Sequence, residues 1–158
     1  MDDDRDEAGY ASPACQLHEA DAAYRGYLPR SEVIDLLNRL LEAERAGAGG
    51  VAAMAHEATD PALVAALREV AGDEARFCAM LAGHVARLGG TASAATGAFR
   101  EKLMACDSLA ARIALLDRGQ GWVVREIEKA QPKIEDAALH ADLKAMLATH
   151  VRNIARLR

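Results

Sequence analysis

Apolar side chains recur along this chain at spacings of three and four. Leu37, Leu40, Leu41 and Val51 fall on one helical face, and Leu63, Leu67, Val70, Phe77, Leu81 and Leu88 fall on a second. Leu109, Ile113, Leu116, Val123, Val124 and Ile127 make a third face, and Leu139, Leu143, Met146 and Ile154 a fourth. That period marks amphipathic helices with one buried side. Local punctuation predicts their ends. Ser31 is expected to cap a helix over residues 32–57, with Glu32 in its first turn. Asp60 and Pro61 read as the N-cap and first residue of a second helix, which runs to Leu88 and stops at Gly89-Gly90. Residues 89–107 form a long connection rich in Gly, Thr, Ser and Ala, within which Phe99, Leu103 and Met104 predict a short amphipathic segment. Asp107-Ser108 opens a third helix to about Lys129, Pro132 interrupts the pattern, and a fourth helix starts near Asp136.

Two helical hairpins with tight turns, joined by a long connection, predict an all-α fold: an antiparallel four-helix bundle over residues 31–158. Residues 1–9 read as a disordered acidic tail, and residues 10–30, which carry Tyr10, Tyr24 and Tyr27, as a segment docking on the bundle. Composition agrees with helix over strand, at 51% apolar but only 4% aromatic residues, with Ala and Leu dominant. The net charge of −5 argues against a nucleic-acid partner. No apolar run is long enough to span a membrane. The start, Met1-Asp-Asp-Asp-Arg-Asp-Glu, is the opposite of a signal peptide, and the three cysteines cannot all pair within one chain. A reduced, cytoplasmic protein is the expectation.

Each apolar face is interrupted by one polar side chain: Glu44, Glu74, Gln120 and His150. An unpartnered buried carboxylate costs several kcal/mol, roughly, so these positions need a reason. Their numbering makes them a set. Glu44 and Glu74 are 30 residues apart, centred on the turn at Thr59-Asp60-Pro61; Gln120 and His150 are also 30 apart, centred beside Pro132. Partners equidistant from a hairpin turn share one height, roughly 22 Å from the turn at about 1.5 Å per residue. The four side chains are therefore expected at one level near mid-bundle.

On these residues the chain resembles the ferritin-like superfamily, rubrerythrins included, across residues 31–158. The resemblance implies two helix pairs joined by a crossover and a carboxylate-bridged di-iron or di-manganese site, built from a Glu on one helix of each pair and Glu-x-x-His on its mate. Glu44, in Leu-Leu-Glu-Ala-Glu-Arg-Ala, matches the first Glu, and Glu74 matches the Glu of the second helix. Phe77 stands where the following His belongs, Gln120 takes the Glu position of the third helix, and His150 matches the last His, with Leu147 in place of its Glu. The di-metal motif is thus degenerate. Glu44, Glu74 and His150 remain a chemically sensible set for one divalent ion (Fe, Mn or Zn), with Gln120 as a weak or orienting ligand to the ion or a small ligand. The alternative is a metal-free buried hydrogen-bond network in a non-catalytic helical interaction module. Similarity to small bacterial domains of this branch implies no particular activity; if the protein is an enzyme, redox handling of oxygen or peroxide is what the resemblance implies.

Weaker candidates are Cys78, one turn after Glu74, and Cys15 with His18, half of a zinc-type set. The bland readings are a small core residue for Cys78 and a docking helix around Cys15. His84 keeps phase with Leu81 and Leu88, as a satisfied core histidine would, and Trp122 reads as a core-edge aromatic. Gly119 and Gly121 flank Gln120 inside a helix, each at a cost of up to about 1 kcal/mol against Ala. They are expected to allow close helix approach or to leave room for a small ligand. No phosphate-binding glycine loop, dinucleotide fingerprint, nucleophile elbow or His-Glu-x-x-His is present, so no nucleotide or organic cofactor is indicated. Ala-rich outer faces would suit a homodimer.

Overall fold

The computed structural model describes residues 22–157. These form five α-helices: α1 (Arg30–Glu57), α2 (Pro61–Arg87), α3 (Phe99–Met104), α4 (Leu109–Ala130) and α5 (Ala137–Leu157). One 3₁₀ turn, Gln131–Lys133, follows α4, and no strand occurs among the described residues. None of these helices is long and apolar enough to cross a membrane. α1 packs along α2, α4 along α5, α2 against α5 and α1 against α4, while the short α3 lies on α1 and α4.

Most helix ends follow the local chemistry. The Asp60 carboxylate accepts from Ala62 N at 2.9 Å, with Pro61 beside it, and Ser108 Oγ accepts from Ala111 N at 3.2 Å. Asp136 accepts from Leu139 N at 2.8 Å ahead of α5. Ser31 is not a cap, because helical geometry already begins at Arg30, directly after Pro29, whose carbonyl receives Val33 N. The 3₁₀ turn at Pro132 also anchors the incoming chain, since Lys133 O accepts from Leu28 N at 2.9 Å. Tyr27 is half-buried there under Arg25, whereas Tyr24 is exposed rather than packed.

The interior consists of two apolar clusters. One gathers Leu36, Leu37, Leu40, Leu41, Phe77, Leu81, Val85, Val123, Ile127, Leu139, Leu143 and Met146. The other gathers Val51, Met54, Leu67, Val70, Leu103, Leu116 and Leu157. Each fully buried side chain of this kind contributes about 1.5–3 kcal/mol of transfer free energy. Three expected core residues sit elsewhere, among them Val124, which is only partly buried and belongs to neither cluster. Leu109 is half exposed in the first turn of α4, at a rim shared with Met54 and Leu63. Ile154 is only partly buried because the α5 face runs through His150, Asn153 and Leu157 instead.

The gap between the clusters is the important feature. On α1 the first cluster ends at Leu41 and the second begins at Val51; on α2 they part between Val70 and Phe77. On α4 the break falls between Leu116 and Val123, and on α5 between Met146 and Leu157. Glu44, Glu74, Gln120 and His150 occupy those four gaps, all of them buried. A polar layer therefore divides the apolar interior at one level.

Candidate functional site

Within the layer the four side chains form two pairs. His150 Nε2 lies 3.0 Å from Glu44 Oε1, and His150 Nδ1 lies 3.1 Å from the carbonyl oxygen of Met146, one turn back on α5. A carbonyl only accepts, so Nδ1 carries a hydrogen; Nε2 and Glu44 Oε1 then share a proton between them. Burial pushes the Glu44 carboxyl up, against the opposing hydrogen bond and charge of His150. Burial alone would push His150 down, but the Glu44 hydrogen bond and charge, with Met146 O and Asp73, carry it above its ordinary value. The pair holds its proton tightly.

Gln120 Nε2 donates a short hydrogen bond to Glu74 Oε1. The Glu74 carboxyl stands well above the usual range, first because it is buried and then because the Glu44 carboxylate is close. Three oxygens of the layer have no partner: Glu44 Oε2, Glu74 Oε2 and Gln120 Oε1. Leaving such a buried acceptor unsatisfied costs about 1–3 kcal/mol, more when it is charged. Ionised Glu44 and Glu74 with a protonated His150 would leave one negative charge uncompensated. With both carboxylates ionised, the layer lacks donors and positive charge.

The same residues line a cavity of about 220 Å³ whose wall is otherwise mostly apolar, formed by Glu44, Gly47, Glu74, Phe99, Gln120 and Trp122 with Ala43, Leu116, Gly119 and Val123. Trp122, 36% exposed, stands at its solvent edge. Two glycines make the space. A Cβ on Gly47 would lie 2.9 Å from both carboxylate oxygens of Glu74, so the absent side chain is what lets that carboxylate sit against the α1 backbone. A Cβ on Gly119 would meet the Phe99 ring at 3.1 Å, so Gly119 lets α3 close over the cavity. Gly121 has a different neighbour, Arg125, and does not line the space. Gly47 escapes a reading by periodicity, because a helical glycine between apolar residues carries no phase; only its cost within a helix marks it.

The structure joins Gln120 to Glu74 and His150 to Glu44, rather than gathering Glu44, Glu74 and His150 as one ligand set. Among the described residues no three His, Cys, Asp or Glu side chains are grouped so as to hold a metal ion as they stand. Phe77, at the place of the motif's missing His, stacks instead at 5.6 Å from the His150 ring. A dinuclear centre does not fit this donor set. The unpartnered oxygens do fit a single positive charge, which would bind in place of the missing donors. Cys78 is half-buried against the apolar cluster, its thiol pushed up to about 11, first by burial, with Glu44 and Glu74 adding to it. Such a thiol is a poor ligand at neutral pH. Cys15 and His18 lie outside the described residues.

Residues 31–158 match the family described as Domain of unknown function (DUF6306). The curated proteins contain no match to the chain.

Proposed function

The chain belongs to that family, whose description assigns no activity, and from its central site we propose that it is a ligand-binding protein of the ferritin-like kind. In this reading the helices form an antiparallel four-helix bundle, and its polar layer takes up a positively charged ligand at Glu44, Glu74 and Gln120. The observation that carries the reading is the set of three buried, unpartnered oxygens on residues lining one cavity. Selection for stability alone would favour apolar residues of similar volume here, since buried charged groups are often neutral or worse for stability. A divalent ion is the ligand that the resemblance implies. Its residues here would be Glu44, Glu74 and Gln120, with His150 holding Glu44 in place and setting its proton.

A specific observation also favours a second reading, that of a metal-free network in a helical interaction module. The buried His150 ring is hydrogen-bonded on both of its nitrogens and needs no ligand. Elemental analysis of the purified protein, with thermal melts in Fe(II), Mn(II) or Zn(II), separates the two. A ligand that binds only the folded state raises the melting temperature with its concentration. The binding reading expects such a rise from a cation, lost in Glu74→Gln. Failure of every cation, inorganic and organic, to shift the melt would leave the interaction module.

A further inference from the structure

We propose that the cavity beneath α3 binds a small organic cation, a primary ammonium group on a short apolar body, held by Glu44, Glu74 and Gln120 and covered by Phe99 and Trp122. The inference rests on the reading of the layer as a cation site and names the class of ligand. Three features of the site combine to give it.

The first is donor count. A primary ammonium carries three N–H donors and no acceptor, and the layer offers three acceptor oxygens without partners. An alcohol or an amide would bring an oxygen of its own into a place already rich in them. The second is charge. Glu44 lies close enough for Glu74 to feel its charge, and His150 supplies one cation for the two. With Glu74 ionised, one further positive charge completes the balance in place of the proton that the ligand-free site keeps, whereas an anion would add to the repulsion. The third is the wall. Away from its polar floor the cavity is bounded by Ala43, Leu116 and Val123 and by two aromatic rings. A hydrated inorganic ion would leave that wall idle, and retaining its water there would be costly. A hydrocarbon body fills it, and an aromatic edge such as Trp122 adds attraction for a cation passing its face. The size is consistent: a cavity of about 150 Å³ suffices for benzene, and this one is about 220 Å³. That admits an amine of some five to eight heavy atoms. Gly47 and Gly119 serve this space directly, since a side chain on the first would displace the Glu74 carboxylate and one on the second would lift Phe99.

The test uses the full chain in MOPS buffer at pH 7, because Tris is itself a primary amine and phosphate precipitates Zn(II) and Mn(II). At that pH an alkylamine is fully protonated. Thermal melts and titration calorimetry are run with n-propylamine to n-hexylamine, with the matching alcohols, with ammonium chloride, and with Mn(II) and Zn(II). The wild type is compared with Glu74→Gln and with Trp122→Ala, the latter altering only the solvent edge should the buried variant fold poorly. Saturable stabilisation by butyl- or pentylamine is expected, with little from the alcohols or from ammonium chloride. A loss of affinity of at least tenfold is expected in Glu74→Gln, and a smaller, several-fold loss in Trp122→Ala. Alcohols that stabilise as well as amines would overturn the proposal in favour of a purely apolar pocket. Binding of Mn(II) or Zn(II) that requires Glu74, with amines inert, would overturn the organic ligand and leave the cation reading standing. Inert amines and inert metals together would overturn both.

Discussion

The polar clusters around His84 and at the central layer both interrupt helix interfaces, and they are finished to different degrees. Toward the C-terminal end of α2, His84 is 8% exposed, yet every polar group around it has a partner. Arg87 Nη2 donates to His84 Nδ1 at 2.8 Å, which leaves the ring hydrogen on Nε2 to donate to Asp142 at 2.7 Å, and Arg87 Nη1 donates to Asp136 at 2.6 Å. Donors and acceptors alternate, and Asp142 and Arg87 both reach water. The central layer is buried away from water, and three of its oxygens lack donors. A cluster that is closed on itself ties helices together. One that is left open within a cavity is built to be completed from outside.

The largest effect should come from cutting the finished half of the central layer. His150→Leu removes the cation paired with Glu44 and leaves a carboxylate buried at 2% exposure, so a loss of about 3–5 kcal/mol is expected in urea denaturation. Adding Glu44→Leu should restore most of that loss, because no unpaired charge remains. A double variant no more stable than the single one would mean that the pair does not share its proton as the distances indicate.

Next in size is the response to pH. Glu74 faces Glu44 from α1, Asp73 from its own helix and Gln120 from α4. Its folded value lies well above 4.5, so the folded state keeps a proton that the unfolded chain has already released. That favourable contribution is lost as pH rises from about 4.5 through the folded value. His150 acts in the same sense: raised above 6.5, it stabilises fully below that value, and the stability is lost as pH rises through its folded value. Asp136, held down to about 2 chiefly by Arg87, matters only in strong acid and does not oppose this. The ligand-free protein should therefore melt higher at pH 5.5 than at pH 8.5. The slope is up to about 1.4 kcal/mol per pH unit for each proton by which the two states differ. Glu74→Gln should flatten it; an equal slope in the variant would place the titration elsewhere.

The comparison also shows how much of this was legible in the sequence. The all-α pattern followed from periodicity, and the level of Glu44, Glu74, Gln120 and His150 from simple counting about two turns, because helical rise is nearly constant. Pairing within the layer was not legible. Which carboxylate meets the imidazole depends on helix rotation and rotamer, and neither leaves a trace in spacing. The burial of Asn153 is hard to see in the sequence, because Ile154 offers an apolar alternative to it, although the intervals from Met146 to His150, Asn153 and Leu157 are equally helical. The cavity was missed in part. Gly119 was noticed for its cost, but Gly47 could be understood only once the Glu74 carboxylate was seen against it.

Gly47→Ala sharpens that point with a smaller, mixed effect. Alanine gains about 1 kcal/mol of helix propensity over glycine. Its Cβ, 2.9 Å from both Glu74 oxygens, must displace the carboxylate, and overpacking of this kind costs about 1–3 kcal/mol. The net change in stability should be small, whereas cation affinity should fall about tenfold or more. Affinity equal to the wild type's would mean that the position of Glu74 is not what the site depends on.

The smallest effect belongs to the finished cluster at His84. Asp142→Asn keeps an acceptor for His84 Nε2–H and removes only a charge that is half in water. Such exposed pairs contribute about 0–1 kcal/mol, so the melting temperature should shift by only a few degrees at most. Ligand affinity at the central layer should not change, because the two clusters share no side chain and α2 carries His84 almost three turns beyond Glu74. A joint loss of stability and affinity in Asp142→Asn would show that the two clusters act together through α2, and that the open site depends on the closed one to hold its helices.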